Sequence, residues 1–127
     1  MRVMGKILRR IAPGTELKTP SRRVPFIVEK VDLGGVTLRV GRTGTKISIP
    51  AECWEGIPDF LRGKGWVLIG AVHGKPHKGS LEDYLQRFTH GTSVASYVVP
   101  ILEKASIVQV DRRRPGKVRL INECPCP

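Results

Sequence analysis

Three consecutive arginines, Arg112, Arg113 and Arg114, form the densest group of side chains in this sequence that could bind a ligand. Lys117 and Arg119 follow them closely, in the stretch DRRRPGKVRL. Such side chains contact phosphate groups, and arginine is favoured in a minor groove by its negative potential. The alternative is a solvated loop whose charges protect the edge of a sheet. Three adjacent arginines exceed what edge protection needs, so the pattern favours phosphate binding.

The residues on both sides of these arginines predict a β-hairpin with the cations in its loop. Val108 and Val110 alternate with polar residues before them, and Val118 and Leu120 do so after them. An alternation with a period of two is typical of strands that bury one face. The arginines are therefore predicted to lie at the tip of a hairpin.

Two helices are predicted before this hairpin. Ser80 and Asp83 match a capping box in which Asp stands in for the usual Glu. After the turn at residues 89–91, Thr92 or Ser93 is expected to cap the second helix. The apolar positions of the first helix are Leu81, Tyr84, Leu85 and Phe88. The expected buried stripe of the second helix is Val94, Val98, Ile101, Leu102 and Ala105.

The order helix, turn, helix, strand, basic loop, strand over residues 80–121 resembles the C-terminal two-thirds of a winged helix-turn-helix domain. The resemblance implies that the basic loop is a wing and that the second of these helices meets nucleic-acid bases. Residues 51–62 would be the first helix of such a domain, although Pro58 is expected to divide them into two short pieces. Residues 67–69 would be its first strand.

Base reading by the second helix is expected to be limited. The outward residues near its start are Thr92, Ser93, Ser96 and Tyr97, which can bond phosphates or bases. None of them is the Arg, Asn or Gln that reads a base in a bidentate manner. Val99 and Pro100 are also expected to face outward. Together with Tyr97 they suggest an alternative, in which this helix docks a partner subunit or a second copy of the chain.

The N-terminal portion is predicted to be β-rich. Residues 25–40 alternate as a hairpin, Ile47 and Ile49 mark a further strand, and residues 15–18 are a candidate edge strand. These strands suggest a small curled sheet or barrel of SH3-like size, preceded over residues 4–12 by one or two turns of helix or by a basic arm. Cations in its loops and on its outward face could extend a basic surface or simply be solvated. They are Arg22, Arg23, Arg39, Arg42 and Lys46.

The predicted fold is therefore α+β, with an SH3-like β-rich portion packed on a C-terminal winged helix-turn-helix. The β-rich portion and its short basic N-terminal segment cover residues 1–50. The winged helix-turn-helix covers residues 51–123, and residues 124–127 are a tail.

The formal net charge of +11 over 127 residues is the strongest feature of the composition. Such a charge attracts polyanions, although it can also serve only to keep a basic protein dispersed. We expect a nucleic-acid-binding protein with duplex DNA as its partner, and a transcriptional regulator is one role that this implies. The alternative partners are RNA, bound through the β-rich portion, and a second copy of the chain in a homodimer.

Chemistry beyond binding is not expected. The carboxylates are separated along helices, whereas a metal-dependent nuclease needs them clustered, and no phosphate-cradling glycine loop follows a strand. We expect no enzymatic activity, no cofactor and no metal. His73, His77, Cys124 and Cys126 have the right residue types for zinc, but exposed loop histidines and a frayed tail explain them better. Cys53 is expected in the core.

The location is expected to be cytoplasmic, without a membrane partner. No apolar run approaches the ~20 residues that span a bilayer, and the basic N-terminus is too interrupted to be a signal peptide. One asparagine and two glutamines in the whole chain indicate a thermophilic source.

Overall fold

The computed structural model describes residues 2–20, 23–41, 43–72, 75–76, 78–89, 94–113 and 116–121, with the backbone alone described for residues 2, 71, 72, 75 and 76. Within these ranges the chain is α+β, as predicted, with four helices and nine strands. The helices are α1 (Arg2–Arg10), α2 (Ala51–Leu61), α3 (Leu81–Thr89) and α4 (Ala95–Lys104). The strands are β1 (Thr15–Lys18), β2 (Pro25–Asp32), β3 (Gly35–Val40), β4 (Thr45–Pro50), β5 (Val67–Leu68), β6 (Ala71–Val72), β7 (Lys75–Pro76), β8 (Val108–Asp111) and β9 (Lys117–Leu120).

The first four strands form an antiparallel sheet in the order β1-β2-β3-β4. The hairpin predicted over residues 25–40 is confirmed as β2 and β3, which are joined at Leu33 and Gly34. The predicted edge strand is confirmed as β1, and the strand through Ile47 and Ile49 is confirmed as β4. The short N-terminal helix is confirmed as α1.

A β-bulge in β2 resolves a mismatch in the apolar pattern of that strand. Val28 and Val31 are three residues apart, so strict alternation would place them on opposite faces. The register with β3 shifts between Val28 and Lys30, and both valines are buried as a result. At the end of the hairpin, Gly35 has a φ of 142°, and a Cβ there would lie 2.2 Å from the Ile49 carbonyl oxygen. Only glycine allows β3 and β4 to approach so closely at this point.

Helix α2 does not break at Pro58, contrary to the prediction, because Ala51–Leu61 is one helix. Proline in a helix interior costs about 3 kcal/mol, since it removes one hydrogen bond and crowds the preceding turn. Trp54, Ile57 and Leu61 on the same helix are fully buried. Each such burial contributes about 1.5–3 kcal/mol. Packing of this face therefore outweighs the local cost of the proline.

A second antiparallel sheet has the order β5-β9-β8, and β6 pairs with β7 in a separate ribbon. The hairpin predicted around the arginines is confirmed as β8 and β9, and the strand predicted at residues 67–69 is confirmed as β5. Ser80 caps α3 as predicted, since its hydroxyl accepts a hydrogen bond of 3.1 Å from the Asp83 amide. The Asp83 carboxylate accepts its bond from the Gly79 amide.

The start of α4 is capped by a residue that the sequence does not point to. The N-cap position is Val94, whose side chain makes no capping hydrogen bond. Glu82 of α3 instead accepts bonds from the Val94 amide at 3.4 Å and the Ala95 amide at 3.2 Å. Glu82 is only 3% exposed, and this burial raises its pKa although the two hydrogen bonds lower it. The expected caps, Thr92 and Ser93, lie outside the described residues.

Helix α1 is capped in the same manner. Its sequence has no acidic residue in the first turn. The Glu55 carboxylate of α2 accepts hydrogen bonds from the Val3 amide at 3.2 Å and the Met4 amide at 2.8 Å. A carboxylate at a helix N-terminus satisfies amides that have no intrahelical partner and interacts favourably with the helix dipole.

One hydrophobic core joins the two predicted portions of the chain. Helix α4 contacts α1, α3, β1 and β8, and its Tyr97 ring meets the Phe26 ring of β2 edge to face at 5.2 Å. The predicted buried stripe of α4 is confirmed. Val99 and Pro100 are buried as well, which corrects the expectation that they face outward. The side chains of Val99 and Pro100 are therefore not exposed for docking a partner subunit. The division of the chain at residue 50 stays a prediction.

Among the described residues, no helix has both the length and the apolar character needed to cross a membrane.

Candidate nucleic-acid interface

Arg112 turns back from the hairpin onto helix α4. Its Nη1 and Nη2 atoms donate to the two carboxylate oxygens of Glu103 at 3.0 and 2.6 Å. This bidentate ion pair raises the pKa of Arg112 and fixes the direction of its guanidinium. Arg112 is the first residue of the wing loop, the name used here for residues 112–116 between β8 and β9, and it is thereby tied to the end of α4.

Arg113 remains at the surface, with 90% of its side chain exposed. Its Nη2 and Nε atoms donate to the Asp111 carboxylate at 2.9 and 3.1 Å, and its amide donates to the same group at 3.0 Å. These hydrogen bonds from Arg113 lower the pKa of Asp111 to about 2. Arg114 lies outside the described residues.

A groove of about 480 Å³ lies between β1 and α4, beside the wing loop. Four cations and two carboxylates line it, which gives a net charge of +2. The cations are Lys18, Arg23, Lys104 and Arg112, and the acids are Glu16 and Glu103. The structure thus brings Arg23 and Arg112, both predicted site residues, together with Lys18 and Lys104, which were not predicted as a site.

Arg23 holds an unusual backbone conformation at the edge of this groove. Its φ is 57°, a region that costs most L-residues about 1–2 kcal/mol. Thr19 lies nearby in the chain and is buried, and its hydroxyl accepts a hydrogen bond of 2.9 Å from the Val24 amide. The Arg23 amide in turn donates to the Thr19 carbonyl at 3.1 Å. A strained residue held by such a network is a candidate for a functional position.

Lys46 lies away from this groove, on β4. It pairs in register with Arg39 of β3, and both side chains contact the Glu29 carboxylate. The distance from Lys46 Nζ to Glu29 Oε2 is 3.5 Å. One carboxylate thus offsets part of the charge of both cations, which weakens the case for a binding role of Lys46. Arg22 and Arg42, the other predicted residues of this portion, lie outside the described residues.

The described residues of α4 that were predicted to meet bases are Ser96 and Tyr97. Ser96 is exposed, whereas Tyr97 is half-buried against Phe26. Since the rest of the helix is largely enclosed, few of its side chains can reach a base edge.

Arg119 and Lys117 lie on β9, where Lys117 is half-buried opposite Asp111. The Arg119 guanidinium is 4.7 Å from the centre of the Trp66 ring, and its Nε donates to Gln109 Oε1 at 3.0 Å. Trp66 is a surface residue that the sequence did not single out, because the apolar run in which it stands, WVLIGAV, suggests a buried segment.

No group of three or more metal-binding side chains occurs within the part of the chain that the structure describes. His73, His77, Cys124 and Cys126 lie outside that part. Cys53 is buried in the core as predicted, and burial raises the pKa of its thiol to about 12. A thiol with so high a pKa is a poor nucleophile and a poor metal ligand near neutral pH.

Comparisons of the chain with protein-family models, with curated proteins and with solved structures gave no match. The candidate interface is therefore defined by its own geometry and charge.

Proposed function

We propose that the protein binds duplex DNA through the phosphate backbone, with the groove between β1 and α4 as the contact site and with limited base-specific readout. One observation carries this proposal: Lys18, Arg23, Lys104 and Arg112 come from separate segments and converge on one groove. Cations gathered in this way bind phosphates because they release the counterions condensed on DNA. The net charge of +11 supports the same partner.

Limited base readout follows from the packing of α4. In helix-turn-helix proteins the second helix enters the major groove and presents side chains to base edges. Here Val98, Val99 and Ile101 are fully buried, and Ser96 is the exposed polar residue of the first turn. Contacts from the groove and the wing loop would therefore position the protein on DNA without reading the sequence.

The proposal includes the winged helix-turn-helix resemblance. Elements α2, β5, α3, α4, β8 and β9 occur in the order that the resemblance implies, with the additional strands β6 and β7 between β5 and α3, and β5 joins the hairpin in one sheet. The first sheet, for which we propose the SH3-like architecture, contributes Lys18 of β1 to the groove, and Arg23 follows in the next loop.

The test is a fluorescence anisotropy titration of a duplex of about 20 base pairs at about 50 mM and about 200 mM salt. The double variant Lys18→Ala/Lys104→Ala should lower the affinity equally for unrelated sequences and reduce the slope of log K against log salt by about 1.8, the contribution of two phosphate contacts.

The matched control is Lys30→Ala/Lys78→Ala, which removes the same charge from exposed positions outside the groove. An equal loss in both double variants would assign the binding to total charge and refute the groove. A structured RNA that displaces the duplex at a lower concentration than competitor DNA would instead favour RNA as the partner.

A further inference from the structure

Trp66 is one of the large apolar side chains that the fold leaves exposed. It lies directly before β5 and keeps 43% of its surface open to solvent. The other tryptophan, Trp54, is fully buried, and its Nε1 donates to the Ile49 carbonyl at 3.2 Å. Exposed single apolar residues are common on proteins, so Trp66 alone indicates no site.

The environment of Trp66 supplies the second observation. The Arg119 guanidinium is 4.7 Å from the indole centre, in cation–π geometry. The exposed fraction of Trp66 is measured with this guanidinium in contact. The indole therefore has further solvent-exposed surface beyond the part that contacts Arg119.

Arg119 is held by neutral groups, which distinguishes it from the arginines of the wing loop. Gln109 on β8 lies opposite Arg119 in register. Its Oε1 accepts hydrogen bonds from Arg119 Nε, at 3.0 Å, and from Arg119 Nη2. Arg112 and Arg113, by contrast, pair with carboxylates that offset their charge. The orientation of Arg119 is thus fixed and its positive charge is not neutralised by these contacts.

The three side chains share the outer face of the second sheet. Val67 and Val118 pair across β5 and β9, and both are buried on the inner face. Because neighbouring side chains alternate between faces, Trp66 and Arg119 project outward, and so does Gln109. They form a row across the sheet, from an aromatic ring through a cation to an amide.

We infer that Trp66, Arg119 and Gln109 form a stacking site for one unpaired base of single-stranded DNA. The base stacks on the open area of the indole, and Arg119 attracts the adjoining phosphate. An aromatic ring beside a cation is the combination that binds single strands without sequence preference. This inference rests on the proposed function, since the groove between β1 and α4 would hold the neighbouring duplex backbone.

The test uses a thymidine oligomer of about 12 nucleotides and a duplex of equal phosphate number, each titrated by anisotropy. Trp66→Ala should lower the affinity for the oligomer by about 5- to 150-fold, the value of one base–aromatic stack, and leave duplex affinity within about twofold. Trp66→Phe should retain part of the affinity. Binding of the oligomer should also quench the fluorescence of Trp66, while buried Trp54 gives a constant background.

The matched control is Leu33→Ala, which shortens a side chain that is 60% exposed in the turn between β2 and β3. Oligomer affinity unchanged in Trp66→Ala, or lowered equally in Leu33→Ala, would overturn the stacking site. A dimer that Trp66→Ala dissociates without loss of oligomer binding would assign the indole to self-association and also overturn it. The double variant Lys18→Ala/Lys104→Ala separates the two proposals. If it binds the duplex as tightly as the wild type, the groove is refuted, and the effect of Trp66→Ala on oligomer affinity still tests the stacking site.

Discussion

Replacing Glu103 by glutamine should strengthen DNA binding, because this carboxylate both orients Arg112 and offsets its charge. The two groups form a bidentate pair with distances of 2.6 and 3.0 Å. Glutamine has nearly the same shape and can still accept one hydrogen bond from the guanidinium. The substitution raises the net charge of the groove from +2 to +3, since one of its two carboxylates is removed.

The magnitude follows from the number of groove cations that can contact phosphate. Of the four, Arg112 is the one that pairs with a carboxylate among the described residues, which leaves Lys18, Arg23 and Lys104 for DNA. Three contacts give a slope of log K against log salt of about −2.7, and a fourth gives about −3.6. Between about 50 mM and about 200 mM salt, wild-type affinity should fall about 40-fold and that of Glu103→Gln about 150-fold.

The assay is the anisotropy titration repeated at four or more salt concentrations. Glu103→Gln should bind more tightly than the wild type at low salt, and the advantage should shrink as salt rises. Asp59→Asn is the control, since Asp59 forms an exposed ion pair with Arg62 at 2.6 Å outside the groove. Equal slopes for the wild type and Glu103→Gln would refute the reasoning, because Arg112 would then lie outside the interface.

Two further predictions concern stability and are measured by urea unfolding. Burial raises the pKa of Glu82 above its ordinary 4.5. The contribution of this shift to the free energy of unfolding is therefore fully present below pH 4.5 and is lost as the pH rises through the pKa of the folded state. The non-titrating variant Glu82→Gln should therefore gain stability relative to the wild type as pH increases over this window, and a difference that is flat with pH contradicts this. Ser106 follows Ala105, the C-cap of α4, and has a φ of 61°. Ser106→Gly should therefore increase the free energy of unfolding by about 0.5–1 kcal/mol, whereas a decrease would show that the left-handed serine is not strained.

The strands were predictable from the sequence because their signal is local. A period of two identified β2, β3 and β4 of the first sheet and both strands of the C-terminal hairpin, while β1 was only a candidate edge strand. The bulge in β2, which lets both Val28 and Val31 be buried, was not predicted. Short-range patterns of this kind depend only on which face of a strand is buried.

The errors arose where packing between distant elements decides the outcome. Pro58 argues for a broken helix when its neighbours in sequence are considered alone, yet burial of Trp54, Ile57 and Leu61 keeps the helix whole. Val99 was assigned outward because a recognition helix usually has one exposed face. In this fold α1, α3, β1 and β8 contact α4 and Val99 is buried, which the sequence of α4 alone cannot show.

The candidate site was predictable only in part for the same reason. The arginines of the wing loop are conspicuous in the sequence, but Lys18 is more than 80 residues from Lys104 and meets it only across the groove. Arg112 was predicted as a site residue and lines the groove, while its ion pair with Glu103 could not be foreseen. Charge density along the chain therefore indicated a candidate region, and the tertiary fold determined which cations converge.

The carboxylates of Glu55 and Glu82 couple the four helices in two pairs, α1 with α2 and α3 with α4. Helix α1 has nine residues, too few to be stable in water by itself. At its N-terminus, the Val3 amide donates a hydrogen bond to Glu55, which lies 52 positions away in the chain. During synthesis α1 can therefore become stable only after α2, which follows it in the chain, has been made. In native-state hydrogen exchange, the Val3 and Met4 amides should open together with α2, and the first amides of α4 together with α3.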